Sequence, residues 1–284
     1  MPCRVGLVGF GSLGQYLFTS MVGAPELFTV CWIYNRSIDK VISFPGVAAA
    51  QVLTDLSAFP SRGEVDLIVE VCHPAVTREF GAALLRFANL FLGSPTALAD
   101  AALEGALREA AAAHSLFVPS GALWGAGDIA KMGAAGTLSS LRITMKKHPS
   151  SLLLEGGQPK ERLEAAVAAG VQGETVLYDG PVRELARVAP NNVNTMAAAA
   201  IAGANLGFDG VQACLISDPS LQAHIVVVEA EGRPGADGQR FSCRTERVNP
   251  AAPGAVTGSA TYASFFSSLK LAAKALKGPG FHLI

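Results

Sequence analysis

At 284 residues and 50% apolar side chains, the chain is long enough to fill one large domain or two ordinary ones, which excludes a disordered protein. Lys plus Arg number 22 against 23 Asp plus Glu, and the resulting net charge of −1 lacks the basic excess that would neutralise a run of phosphates, so no nucleic acid is expected as a partner.

Residues 4–8 are short, β-branched and apolar, the pattern of a strand buried on both faces of a parallel sheet. A glycine turn follows at once, and Leu13, Tyr16, Leu17 and Met21 then recur at helical spacing over Ser12–Val22 until Gly23-Ala24-Pro25 stops the helix. Phe28–Tyr34 and 66–71 read as further strands, with 47–52 as a short strand between them. A helix over 76–87, a strand at Asn89–Leu92, a long helix over 100–114 and a strand at Ser115–Val118 complete the alternation. The pattern predicts an α/β fold, a Rossmann-type doubly wound parallel sheet over residues 1–124.

After Ser120 the texture changes to the glycine-rich Gly121-Ala122-Leu123-Trp124-Gly125-Ala126-Gly127-Asp128. Strands are expected at 141–147, 175–179 and 224–231, helices at 160–169 and 194–206, and a hairpin loop at 233–239 with its return strand at 240–245. Long alternating strands favour a mostly antiparallel sheet in a second α+β domain over 125–257, for substrate and dimerisation. A last amphipathic helix over 262–276, within the tail 258–284, is expected to pack back on the first domain.

Cys3, Cys31, Cys72, Cys214 and Cys243 are odd in number and show no Cys-x-x-Cys spacing. They read as buried thiols of a reducing compartment, neither a disulfide frame nor a metal site. The first residues lack the charged start and apolar stretch of a signal peptide, and no apolar run reaches the ~18–20 residues of a membrane span. A cytoplasmic location without membrane contact is the expectation. Alanine is abundant, notably over 197–200, yet no repeat of 20–50 residues is present.

Gly9-Phe10-Gly11-Ser12-Leu13-Gly14 joins a buried strand to a helix, which is the setting in which a Gly-x-Gly-x-x-Gly turn holds a dinucleotide. Gly9 allows the tight turn, Gly11 lets the backbone approach a pyrophosphate, and Gly14 permits close helix–strand packing. The free N–H groups and positive end of the helix supply the anion site. About 20 residues further on, where an acidic residue would read an NAD ribose, the second strand ends Tyr34-Asn35-Arg36-Ser37. Without that acid, NADP or NAD is expected as cofactor, Arg36 pairing with a 2′-phosphate or else lying free in solvent. Cys72-His73-Pro74 follows the core strand at the sheet edge where ligands bind, so His73 either lies near the nicotinamide ribose or forms a solvated His-Pro turn.

In the second half, His224 opens an apolar strand after Ser217-Asp218-Pro219. It suits proton transfer beside a hydride acceptor, although a hydrogen-bonded structural histidine would look the same. Asn191-Asn192-Val193-Asn194 precedes an alanine-rich helix and either caps its backbone or orients a carboxamide or carboxylate ligand. Lys146-Lys147 reads as a solvated pair that also has the charge to bind a carboxylate.

These motifs together resemble the L-aspartate dehydrogenase family over nearly the full length. The resemblance is carried by Val8 to Gly14, Val69-Glu70-Val71, Pro119-Ser120-Gly121-Ala122, Pro190-Asn191-Asn192-Val193-Asn194, and Asp218-Pro219 followed by His224. It implies His224 as the catalytic histidine, with Ala122, Asn192 and Asn194 lining the nicotinamide. It also implies NAD(P)-dependent oxidation of a small amino-acid substrate, L-aspartate, to iminoaspartate; a homodimer formed by the second domain's sheet is the expectation from the fold class. After Asn249-Pro250 the family carries a basic, hydroxyl-rich segment, whereas this chain reads Ala251-Ala252-Pro253-Gly254-Ala255-Val256-Thr257. Two other readings therefore stay open, an NADP-dependent reductase of another small carbonyl or imino acid and a non-catalytic NADP(H)-binding sensor or docking protein.

Overall fold

The glycine turn and its neighbours are held by a parallel sheet whose strand order reverses beside them. The structure, a computed structural model, describes residues 1–256, 258–274 and 278–284. Its first half runs β1 (Cys3–Val8), α1 (Ser12–Val22), β2 (Phe28–Tyr34), α2 (Asp39–Ile42), β3 (Val52–Leu53), β4 (Leu67–Glu70), α3 (Pro74–Phe87), β5 (Asn89–Leu92), α4 (Ala101–Ala110) and β6 (Ser115–Val118). The strands are short and apolar on both faces because helices cover both sides.

The second half contains α5 (Ala126–Ala134), β7 (Leu138–Lys147), α6 (Gly157–Ala168), β8 (Thr175–Pro181), α7 (Val182–Val188), α8 (Asn194–Ala202), α9 (Gly207–Gly210), β9 (Gln212–Ser217), β10 (Ala223–Gly232) and β11 (Ser242–Pro250). The chain then returns through α10 (Ser259–Lys274) and β12 (Gly280–Leu283).

Seven strands form the first sheet in the order β12-β6-β5-β4-β1-β2-β3, and every pairing is parallel. From β1 the chain builds outward through β2 and β3, then crosses to β4 and builds the other way. Above the β1/β4 junction the connections diverge and leave a crevice at the carboxyl ends of the strands. On one face, Phe265, Leu269 and Ala272 of α10 join Val5, Leu7, Phe91 and Phe117 in a single apolar cluster. The second sheet has the order β11-β10-β7-β9-β8, antiparallel except for the β7/β9 pair. Alanine-rich α8 is buried nearly all round, which lets its backbone lie close to β7 and α5.

Several elements differ from the sequence expectation. The short strand expected at 47–52 is a 3-10 turn at Ala49–Gln51 followed by β3. The helix over 100–114 begins one residue later, because the Asp100 carboxylate caps it by accepting the N–H groups of Ala102 and Leu103. It ends at Ala110, and the helix over 194–206 ends at Ala202, ahead of Gly203. β11 continues five residues past the expected return strand, carrying Arg247 and Asn249 into the sheet.

Helices α2, α5, α7 and α9 and strands β9 and β12 were not expected. α5 starts inside the glycine-rich stretch that looks like loop, and β12 is four residues paired to β6 from the far end of the chain. The expected helix over 262–276 lies within α10, except that Ala275 and Leu276 are outside the described residues, as is Thr257 of the segment after Pro250. All five cysteines are free, yet only Cys214 is buried and Cys243 is exposed, since β11 is an edge strand. No helix among the described residues is long and apolar enough to cross a membrane.

Candidate active site

Within the glycine turn the three glycines do different work. A Cβ on Gly9, which has φ +103°, would fall 2.7 Å from the Val71 carbonyl oxygen, and one on Gly14 would fall 2.2 Å from the Gly9 carbonyl oxygen. Both positions are closed by the protein itself. Around Gly11 there is nothing within 4 Å, and no side chain caps the first turn of α1. Uncapped amides facing open space are what a pyrophosphate requires, so the turn fits a dinucleotide.

The neighbours of the turn are braces. Phe10 is fully buried against Phe18 and Phe44, and its N–H donates to Asn35 Oδ1 at 3.0 Å. Asn35 Nδ2 donates in turn to the Ser37 carbonyl at 2.9 Å. Asn35 thus ties the turn to the end of β2. Arg36 is exposed and forms no ion pair among the described residues. Ser12 is exposed on α1, and Leu13 reaches into the crevice.

At the end of β4, Glu70 is fully buried and accepts four hydrogen bonds. The donors are Cys72 N–H (2.8 Å), Cys72 Sγ (3.0 Å), Ser94 Oγ (2.6 Å) and Ser94 N–H (3.2 Å). Burial raises its pKa and these bonds oppose the rise. Burial and the neighbouring Glu70 charge push the Cys72 thiol up as well. His73 caps α3, its Nδ1 accepting the Ala75 N–H at 3.2 Å, which leaves Nε2 as the donor to Glu155 Oε1 at 2.9 Å. His73 is therefore a contact between the crevice edge and the loop before α6.

The crevice deepens into a cavity of about 110 Å³, walled by Leu13, by Gly93 and Pro95, by Pro119 to Ala122 and by Asn191, Asn192, Asn194 and Thr195. Its floor is the second sheet. His224 pairs with Asn249, and Val226 pairs with both Arg247 and Met145. Since side chains at i and i+2 share a face, Lys147 falls on the same face as Met145. The floor is thus two rows, Asn249–His224–Lys147 and Arg247–Val226–Met145, and all six side chains line the cavity.

His224 is 6% exposed and its Nε2 has no hydrogen-bond partner. Burial first, then the Lys147 charge, push its pKa down to about 4, against a hydrogen bond to the Ala255 backbone that raises it. Its imidazole is neutral at pH 7. Lys147 is buried, donates to the Val256 carbonyl at 3.1 Å, and is lowered by burial to about 8. Arg247 donates to the Gly121 carbonyl at 3.3 Å. Neither cation has a carboxylate partner among the described residues, and the cavity lining contains no Asp or Glu. Lys146 faces the other way and pairs with Glu174 at 2.5 Å, so the two lysines do not form one solvated pair.

Asn192 is buried, with Oδ1 accepting the Leu153 N–H at 2.7 Å and Nδ2 donating to the Ser151 carbonyl at 3.1 Å. Asn194 opens α8 and accepts from the Thr96 hydroxyl at 3.0 Å, and its amide nitrogen has no partner among the described residues. Ala122 lies half-buried in the wall. The structure brings Leu13, Ala122, Asn192, Asn194 and His224 to one cavity; Asn35, Arg36, Cys72 and His73 lie outside its lining. Sequence reasoning gave no site role to Glu70, Arg247 or Asn249, although Glu70 and Asn249 stand in motifs it quoted. A charged residue in the otherwise apolar Leu67–Glu70 was a signal for the first, whereas the other two depend on pairing with β10.

Residues 128–268 match the family model described as aspartate dehydrogenase, C-terminal, and residues 9–118 match homoserine dehydrogenase, NAD binding domain. An aspartate dehydrogenase domain-containing protein of Xenopus tropicalis is 50% identical over 272 residues, covering 94% of this chain and 93% of the relative. The chain belongs to the L-aspartate dehydrogenase family. An L-aspartate dehydrogenase of Methanosarcina acetivorans is 30% identical over 260 residues, covering 86% and 88% of the two chains. The crystal structure of aspartate dehydrogenase from Thermotoga maritima superposes with TM-score 0.66 at 20% identity, covering 98% of this chain and 100% of that one, which shows the shared fold. Membership makes this protein an NAD(P)-dependent amino-acid dehydrogenase, and the cofactor class agrees with the open, uncapped turn at Gly11.

Proposed function

We propose that this protein catalyses the oxidative deamination of L-aspartate, passing a hydride from the substrate Cα to NAD or NADP and releasing iminoaspartate, which water converts to oxaloacetate and ammonia. The observation that carries the reading is the cavity floor, where a neutral, buried imidazole stands between two unpaired cations with no carboxylate in the cavity lining. When bound, the nicotinamide ring supplies the hydride acceptor.

The chain's own residues do the rest. The first-turn amides of α1 around Gly11 hold the pyrophosphate, and Asn194, Ala122 and Leu13 border the space beyond it. Lys147 and Arg247 draw an anionic substrate into a site of low dielectric, where their attraction is least screened. His224 Nε2, lacking any other partner, accepts a proton from the substrate nitrogen and orients water for hydrolysis of the imine. Arg36, exposed after β2, is the residue on which a 2′-phosphate would rest. A homodimer in the cytoplasm belongs to the same proposal, with exposed Trp124 and Phe241 of one apolar groove supporting an interface between copies.

The test is nucleotide reduction by the purified chain with L-aspartate and either cofactor. Turnover with L-aspartate is expected, and His224→Ala should lower kcat by about 100-fold or more while nucleotide affinity moves by no more than a few fold. Nucleotide binding without turnover on L-aspartate would overturn the proposal, and an unchanged kcat in the variant would remove His224 from it.

A further inference from the structure

We propose that Arg247 is the specificity-determining residue of this cavity, reading a second carboxylate at the end of the substrate remote from Lys147, so that the site selects short dicarboxylic amino acids over monocarboxylic ones. The inference rests on the proposed oxidation of an amino acid at this floor and adds to it the residue that chooses which one.

Four observations carry it. Arg247 sits in the second floor row, opposite Val226, and Lys147 closes the first row beside His224. Two strand spacings and two residues of rise separate them, so their backbones stand about 12 Å apart at opposite corners of the floor. Two long side chains reaching inward from those corners leave room between their heads for a short ligand charged at both ends. The cavity itself is about 110 Å³ and opens past Arg247 into the adjoining groove.

The corners are also unequal. Lys147 is fully enclosed and spends one N–H on the Val256 carbonyl, so it is a fixed point charge at the inner end. Arg247 stands at the mouth, lining both the cavity and the adjoining groove beside Ser120, Trp124 and Ser264. Its contact with the Gly121 carbonyl, which also accepts the Ser264 hydroxyl at 2.9 Å, sets the guanidinium against the cavity wall and leaves most of its five N–H donors free. A planar fork of that kind matches a carboxylate in bidentate fashion, which an ammonium cannot do. No carboxylate of the described residues satisfies it, and none lines the cavity.

A ligand with a methyl group in place of the second carboxylate would leave Arg247 unmatched, which is how a polar site rejects an analogue that lacks the group it is built to bind. The probes are succinate and butyrate, which share a chain length and differ in that one group. Calorimetric titration is carried out on the full chain saturated with oxidised nucleotide. The wild type is expected to bind succinate at least ~10-fold more tightly than butyrate.

Arg247→Gln should weaken succinate by about 10- to 100-fold while leaving butyrate within about threefold, and Arg247→Lys should fall between. Melting curves that coincide with the wild type establish that both variants are folded. Equal weakening of both acids, or of neither, overturns the proposal, as does a wild type that does not distinguish them. Arg247-dependent preference for succinate without L-aspartate turnover would refute the proposed reaction and uphold the carboxylate site. Turnover of L-aspartate whose KM ignores Arg247 would do the reverse.

Discussion

Lys147 shows how much one residue's environment depends on parity along a strand. In β7, Leu141, Ile143 and Met145 face the core, so Lys147 must face it too, whereas Lys146 turns outward to Glu174. That parity is readable in the sequence, but the adjacent lysine obscures it, and a lysine pair looks solvated. Burial lowers the pKa of Lys147 to about 8 from 10.5, so between those values the unfolded chain binds a proton that the folded chain does not. Stability therefore rises with pH across that window, and below about pH 8 the cost of the buried charge is fully present. Lys147→Met should abolish the rise, which amounts to at most ~3 kcal/mol. Urea unfolding of both proteins from pH 7 to 10.5 checks this, and parallel curves would contradict the assignment. His224 has the same sign of effect at lower pH, losing stability as pH falls from 6.5 towards its folded value of about 4.

At the scale of elements, the strand–turn–helix at β1 and α1 was legible because its constraints are local. Gly9 needs a positive φ, and Gly14 lies against the Gly9 carbonyl. Gly11 is different, since its missing Cβ faces open space. Gly14→Ala should therefore destabilise the fold by several kcal/mol, in the range of overpacked core positions. Gly11→Ala should melt within a few degrees of the wild type yet lose dinucleotide affinity by about 10-fold or more. Thermal melting with nucleotide titration separates the two, and a Gly11 variant that binds normally would remove the turn from cofactor binding. β10 was legible through its alternation, but β11 was cut short at 245 because its outer residues are polar. An edge strand carries weak apolar periodicity, so the half that holds Arg247 and Asn249 looked like loop.

On the scale of the whole molecule, the parallel sheet draws strands from both ends of the chain, β1 in its interior and β12 at one edge, with the second sheet formed by the chain between β6 and β12. α10 then covers the face made by Leu7, Phe91 and Phe117, with Phe265 and Phe91 ring centroids 6.1 Å apart. Burial of Phe265 and Leu269 contributes ~1.5–3 kcal/mol each, a large share of the ~5–15 kcal/mol that holds a domain folded. A fragment of residues 1–120 should accordingly bind the dye ANS and lack a cooperative melt. The same fragment joined by a flexible linker to 258–284 should melt cooperatively, and a stable 1–120 fragment would contradict this account.

The succession of β1, β2, β4, β5 and β6, the glycine turn and the place of His224 at the head of a strand were determined by the sequence alone, because periodicity and turn stereochemistry act over a few neighbouring residues. The row Asn249–His224–Lys147 was decided only by the tertiary structure. Its members lie more than 20 residues apart along the chain and meet through the register of three strands, and their missing ion-pair partners become visible only once the surrounding walls are in place.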